Sequence, residues 1–337
     1  MSGFLGRRFA QYVATLLVGS FLLFVATEFS PGTVASKILG PYALQNQVDL
    51  LSDRLGLTDP LVARYGRWLA TIAGLADNPM ADPRVGLGLT DPRGSRYLGN
   101  LGFSLMLKQP VADAITARFA YTVLLTACSI TLIVPLAFGI GVWSGLRPGS
   151  ATDRILSTIT AVLTALPEFA FAVALTLVFV IALGWLPGTS TMLPGGHWSA
   201  LSQMVLPVTV LVVASATYVA RIVRASVVDT AKTPFVRAAE LKGLARRQVV
   251  VHHILRNALI APVTVILLQV NWLLTGVVVV ESIFAYPGVG SLLLQAALFG
   301  DIYLVQALTL MALSVAVGTQ LVGDLCYMAL DPRIRVS

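Results

Sequence analysis

Charge is what this chain lacks most. Asp, Glu, Lys and Arg make up 12% of its 337 residues, while 56% are hydrophobic. A soluble domain carries about 25% charge, and half of that cannot clothe a water-facing surface. With a mean hydropathy of +0.82, the class that remains is an integral membrane protein. Cysteine is nearly missing as well. Cys128 and Cys326 both lie inside apolar runs and lack ligand spacing, which excludes a disulfide framework and a thiolate metal site. No Gly-x-x-x-x-Gly-Lys-Ser/Thr loop occurs, so any ATPase must be a separate chain. No His-Glu-x-x-His occurs either. The adjacent His252 and His253 would point about 100° apart on a helix and would not converge on a metal. Gly141-Val142-Trp143-Ser144-Gly145 lacks the spacing of a nucleophile elbow and has no acid–base partner nearby.

What is present is length in the apolar runs. A helix crossing the hydrocarbon core needs about 20 apolar residues. Six segments qualify, at 9–29, 119–144, 155–183, 204–220, 259–280 and 303–328, the fourth being the shortest. The first is too long for the core of a signal peptide and has no convincing cleavage site after it, so it is expected to remain as a helix. Gly141 and Gly145 form a small-xxx-small pair of the kind that lets another helix approach.

The basic residues give the orientation. Net charge is +7 and the pI is near 9.7, but the Lys and Arg residues sit in short loops beside apolar runs, as in membrane proteins and not as in a nucleic-acid binder. Arg7 and Arg8 precede the first run. Arg147 and Arg154 lie between the second and third, and Arg333 and Arg335 follow the sixth. The loops 184–203 and 281–302 hold no Lys or Arg at all. Both termini are therefore expected in the cytoplasm. The chain then divides into residues 1–29, an extracytoplasmic segment 30–116, and a five-helix core 117–337 with a cytoplasmic loop 221–258. The outer segment shows two amphipathic helical patterns, near 44–55 and 60–75, then a Gly-, Pro- and Asp-rich stretch from Ala76 to Gly99.

Carboxylates within or beside the spans are candidate functional groups, because a charge at mid-bilayer costs about 2.5–3.5 kcal/mol on insertion scales. Glu168 follows Pro167 inside the third span and is a candidate pathway, gate or kink residue. Glu281 and Asp301 stand at the outer ends of spans five and six, where a solvated or partner-facing position is expected; Glu281 is the second candidate pathway or gate residue. Asp324, near the inner end of span six, reads as a structural pairing residue.

The loop after the fourth span carries Arg221, Arg224, Lys232, Arg237, Lys242, Arg246, Arg247 and Arg256. Within it, Thr233-Pro234 reads as an N-cap followed by proline at the first helical position, and Gly243 as a left-handed stop. The result is a short helix over 234–242 that a mere connection would not need. Phe235, Ala238, Ala239, Leu241 and Lys242 are expected on its surface, with Phe235 as an apolar anchor for another protein. A second helix is expected from Ala245 to Leu259. The competing reading of this basic stretch is an interfacial helix lying on anionic lipid.

Arg237-Ala238-Ala239-Glu240-Leu241-Lys242-Gly243 resembles the E-A-A-x-x-x-G signature of ABC importer permeases, with Arg237 in the place of glutamate as in the di-/oligopeptide and nickel branch. Leu255-Arg256-Asn257-Ala258-Leu259 is similar to the motif that follows. So are Leu55-Gly56-Leu57 with Asp59-Pro60-Leu61, Arg64-Tyr65 and Trp68-Leu69, and Tyr286-Pro287-Gly288-Val289-Gly290. Leu330-Asp331-Pro332-Arg333 resembles the branch's C-terminus. Gly99-Asn100-Leu101-Gly102-Phe103-Ser104 resembles its Gly-Asp-x-Gly-x-Ser, with Asn100 for the acid. Ala76–Leu98 is longer than is usual in the branch.

The resemblance implies an all-α membrane protein with six transmembrane helices, the type I ABC importer permease fold, in a bacterial inner membrane. It implies a non-catalytic subunit that binds no cofactor, with ATP and Mg held by two ATPase subunits, separate or fused. A second related permease and an extracytoplasmic substrate-binding protein complete the assembly. It further implies that Pro234, Phe235, Arg237, Ala238, Ala239, Glu240, Leu241, Lys242 and Gly243 form the ATPase-coupling surface. The expected substrates are di- or oligopeptides; nickel, glutathione, opines and oligosaccharides are alternatives. A secondary transporter working without an ATPase is the alternative outside this class.

Overall fold

A computed structural model describes residues 2–28, 34–40, 42–81, 91–192 and 198–330. The C-terminal motif with Arg333 and Arg335, and much of the Ala76–Leu98 stretch, lie outside the described residues. The fold is helical. The long elements are α1 (Ser2–Glu28), α5 (Val111–Gly145), α8 (Ala200–Ala231), α12 (Ile260–Leu274) and α15 (Ile302–Leu330). Five helical stretches are long and apolar enough to cross a membrane. A sixth crossing arises if the bent pair α6 (Ala151–Ala165) and α7 (Glu168–Leu175, continued as π-helix over Thr176–Ala182) is one span.

That third span is therefore not the single rod expected over 155–183. It breaks at Leu166–Pro167 with a bend of 99°. Proline has no N–H to continue the helix, and it pushes the residue before it into extended backbone, which is where Leu166 sits at φ −74°, ψ 128°.

The fourth span also departs from the expected 204–220. Helix α8 runs for 32 residues, capped by the Ser199 hydroxyl, which accepts from the Ser202 N–H. Its last turns carry Arg221, Arg224 and Asp229, which end the hydrophobic signal without ending the helix. The most apolar window of α8 is 61% buried, against 17–28% for the other four unbroken spans. Within residues 122–287 and 318–337 it is the most buried of the long helices.

The described residues form two compact units, 1–121 with 288–317 and 122–287 with 318–337. In the first, α2 (Val34–Leu39), α3 (Gln45–Arg54) and α4 (Leu61–Ile72) form the small helical insertion. Helix α4 lies on α1 through an aromatic cluster: Tyr65 meets Phe21 and Phe24 at ring distances of 5.1 and 5.7 Å, and its hydroxyl bonds Ser20 at 2.8 Å. A two-residue antiparallel ladder, β1 (Phe103–Ser104) with β2 (Gln109–Pro110), precedes α5.

Asp301 is not a solvated helix end. It is fully buried before α15, accepting from the Ser104 hydroxyl at 2.7 Å, the Met106 N–H at 3.1 Å and the Leu304 N–H at 3.2 Å. Asn100, standing where the resembled motif has an acid, is also buried. Its Oδ1 accepts from the Asn78 side chain and the Gly102 N–H, while its Nδ2 donates to the Ser95 carbonyl at 2.9 Å. A carboxylate could not make that last bond. A cavity of about 290 Å³ lies in this unit, lined by Phe24, Glu28, Arg64, Trp68 and Tyr303 among others.

In the second unit, the small-xxx-small pair of α5 performs a close approach. A Cβ on Gly141 would fall 2.5 Å from the Val223 Cβ and 2.7 Å from the Ala220 carbonyl oxygen. One on Gly145 would fall 2.8 Å from the Val227 Cβ and 3.1 Å from the Arg224 carbonyl oxygen. No side chain larger than hydrogen fits where α5 meets α8.

Candidate functional site

The short helix expected in the basic loop is present as α9, Pro234–Leu241. Thr233 has the extended backbone of an N-cap and Pro234 opens the helix. The Thr233 hydroxyl does not cap it, however, but donates backward to the Thr230 carbonyl at 2.6 Å. The stop is as expected. Gly243 sits at φ +76°, its N–H reaches the Glu240 carbonyl at 2.9 Å and the Leu244 N–H reaches Ala239 at 3.4 Å. This pair of bonds is a Schellman closure, which needs a left-handed residue at this point.

Two faces of α9 are distinct. Val236 and Ala239 are buried, and the helix packs on the end of α8 and on the π-helical stretch Val249–Leu255. Ala239 was expected on the contact surface. It faces inward because it lies three residues from Val236, on the same side of the helix. The outer face holds Pro234, Arg237, Ala238, Glu240, Lys242 and Gly243, with Phe235 45% and Leu241 82% exposed. Two large apolar side chains are thus left open within a rim of charged ones.

The second loop helix, expected over Ala245–Leu259, is made of α10 (Arg246–Gln248), the π-helical Val249–Leu255 and α11 (Arg256–Ala258). The Ser226 hydroxyl ties it to α8 through the Ala258 carbonyl. His252 is exposed and His253 half-buried. Among the described residues, no three His, Cys, Asp or Glu side chains are grouped to hold a metal ion.

Of the candidate pathway carboxylates, Glu168 is half-buried as the first residue of α7, directly after the break. Glu281, expected at a solvated end, is fully buried on α13 (Val278–Ile283) and accepts from the Thr122 hydroxyl at 3.2 Å. Helices α7 and α13 pack together, so the two carboxylates sit on neighbouring elements. On the same face of α5 as Thr122 come Thr126 and Ser129, both buried, with hydroxyls that have no hydrogen-bond partner among the described residues. Asp324, on α15, is half-buried.

Sequence reasoning missed one pairing. Asp153, in the first turn of α6, receives the Arg224 guanidinium of α8 in a fork, Nε at 2.6 Å and Nη2 at 2.8 Å. The Gly149 N–H and the Ser157 hydroxyl bond the same carboxylate. Arg224 had been read only as one of many loop charges. The available signal was Ser150 followed three residues later by an acid, a helix-start pattern that fixes where Asp153 must sit.

Together these features define a class: a multi-pass helical membrane protein with a short helix, closed by a left-handed glycine, in the loop after one of its spans. The chain belongs to the family described as binding-protein-dependent transport system inner membrane component, which it matches over residues 137–336. It is a permease subunit of an ABC importer. It is 31% identical over 335 residues, 99% of each chain, to the glutathione transport system permease protein GsiC of Escherichia coli O6:H1 (strain CFT073). The GsiC of Shigella dysenteriae serotype 1 (strain Sd197) is similar to the same extent. Among solved structures, it is similar to a chain of the MetNI methionine ABC transporter in inward-facing conformation. There the TM-score is 0.51 at 18% identity, covering 65% of this chain and 97% of the other. The type I importer fold and an inner-membrane, multi-pass location follow, as do ATPase and substrate-binding protein partners.

Proposed function

We propose that this chain forms half of the pathway of an ATP-driven importer of short peptides, with glutathione-type tripeptides inside that range, and that α9 is its contact with the ATPase. The observation that carries the reading is the outer face of α9, where Phe235 and Leu241 stand open on a helix fixed from behind by Val236 and Ala239. The peptide class is supported by the GsiC relatives, which are glutathione transport permeases, glutathione being a tripeptide. In this reading both termini and α9 lie in the cytoplasm, and a second related permease completes the pathway. ATP and Mg are handled by the two ATPase subunits, and this chain binds no cofactor and catalyses no reaction. ATP-driven closure of the ATPases displaces α9 as a rigid body and turns the pathway outward; hydrolysis resets it. A ligand or partner shifts such an equilibrium only through a difference in affinity for the two states. Glu168, at the break, and Glu281 are the pathway or gate residues in this scheme.

The test is uptake into proteoliposomes holding the full assembly, with short peptides, glutathione, nickel, opines and oligosaccharides as competitors. Competition by the peptides and glutathione alone is expected. Transport by this chain without ATPase would place it among secondary carriers. Phe235→Asp should weaken ATPase association at least about tenfold while membrane insertion stays normal. Failed insertion with unchanged association would instead mark α9 as a lipid-surface helix.

A further inference from the structure

We infer that Asp153 and Arg224 are positioning residues of the transport cycle, a rigid link that carries the displacement of α9 into α6. The inference rests on the reading of α9 as the ATPase contact.

Only Lys232 and Thr233 separate α8 from α9, and both are bonded back into the end of α8: Lys232 N–H to Asp229 at 3.3 Å, Thr233 N–H to Thr230 at 3.1 Å. A push on α9 is therefore a push on the end of α8. Two turns upstream, at a rise of about 1.5 Å per residue, Arg224 holds Asp153. The grip is a planar fork on a carboxylate, which fixes relative rotation as well as distance. On its own side Asp153 cannot swing, because the Gly149 N–H at 2.8 Å and the Ser157 hydroxyl at 3.2 Å fix it to the start of α6. The Asp153 side chain is 3% exposed, so water cannot take over from the guanidinium without a large loss.

An adjoining face of the same stretch of α8 is closed by the bare backbone of α5 at Gly141 and Gly145, against Ala220, Val223, Arg224 and Val227. Residues 220–227 of α8 are thus held on two adjoining faces, by a carboxylate and by a glycine groove. The far end of α6 is the Leu166–Pro167 break, with its 99° bend. A displacement delivered to the start of α6 is passed along that helix to the Leu166–Pro167 break, where the two helices of the span part. Glu168 stands immediately beyond that point. A purely stabilising ion pair has no need of a hinge at the other end of its helix.

The experiment uses the complete transporter, with its ATPases and binding protein, in proteoliposomes. Asp153→Asn, Arg224→Gln, their double variant and Arg224→Lys are compared for ATPase association, ATP hydrolysis and substrate taken up per ATP. The expected result is normal association and hydrolysis within about twofold of wild type, with uptake per ATP down at least about tenfold in each single variant. The double variant should be no worse than either single, since the two residues act as one unit, and Arg224→Lys should recover part of the loss. Unchanged uptake per ATP, with only less folded protein, makes the pair merely structural and overturns the inference. Losses that multiply in the double variant overturn it also. Phe235→Asp run in parallel separates the premise from the inference. Intact ATPase association in that variant removes the premise, and the inference falls with it. A defective Phe235→Asp beside a fully coupled Asp153→Asn removes the inference alone.

Discussion

Gly243 offers a test in which sterics and backbone can be separated. Its φ of +76° lies in the left-handed region, and a Cβ built there meets nothing within 4 Å. A larger residue therefore encounters no neighbour, and the whole effect of substitution comes from the dihedral. An ordinary L-residue in this region costs about 1–2 kcal/mol, and a β-branched one more, because its second branch crowds the preceding carbonyl. Asn tolerates the region and should lose the least. At 1.4 kcal/mol per tenfold, Gly243→Ala should open the cap about five- to thirtyfold more often, and Gly243→Val should exceed that. The open cap frees the Ala239 and Glu240 carbonyls and lets the end of α9 fray. The assays are amide exchange at residues 243 and 244 and titration of the ATPase onto the purified assembly. The expected order is Gly, Asn, Ala, Val, in both readouts. A Val variant with wild-type exchange and wild-type ATPase affinity would refute the reasoning, since it would mean that closure at Gly243 neither shapes α9 nor matters for docking.

Other expectations can be checked together. Gly141→Ala places a methyl 2.5 Å from the Val223 Cβ and should destabilise by about 1–3 kcal/mol as overpacking, whereas Gly139→Ala, with open space around it, should be neutral in the same thermal-melt comparison. Asp301→Ala leaves the Ser104 hydroxyl and the Met106 and Leu304 N–H groups without their buried acceptor and should cost about 2 kcal/mol or more, read as a fall in melting temperature.

The segment around Asp91 and Tyr97 should also respond to pH. Burial works to raise the Asp91 carboxyl, but hydrogen bonds from the Arg93 side chain and N–H and from the Tyr97 hydroxyl outweigh it and hold it below its ordinary value. Its contribution is thus present above the unfolded carboxylate range and lost as pH falls through the folded value. Exchange protection over 91–97 should drop in acid, and Asp91→Asn should remove that dependence. The Tyr97 phenol, raised by burial and then by its bond to Asp91, titrates at about 12. Its contribution is complete below the unfolded value of about 10 and lost as pH rises toward 12, which ultraviolet titration against Tyr97→Phe would show.

Much of the architecture was legible in the residues because the signals are local. The amphipathic patterns near 44–55 and 60–75 became α3 and α4 almost residue for residue. Pro234 and Gly243 marked the ends of α9 through φ preferences that each residue carries by itself. Hydropathy, in contrast, failed at both ends of α8, because an interior helix that emerges from the apolar layer keeps its hydrogen bonds after its hydrophobicity has ended. Pro167 was noticed, yet the 99° break it makes was not anticipated, since a proline in a membrane span is compatible with a mild kink as well as with a sharp turn.

The amino-acid order alone determined that this is a membrane-spanning helical protein with a basic, capped helix held outside the apolar layer. Those properties follow from run length, charge placement and the dihedral limits of proline and glycine. Tertiary structure alone decided which charges are buried and by whom: Asp301 with Ser104 across 197 residues, and Asp153 with Arg224 across 71. It also turned Ala239 inward and buried α8 more deeply than the other unbroken spans. A carboxylate enters the interior only where donors from elsewhere in the chain replace its water, and no local pattern announces where those donors will arrive.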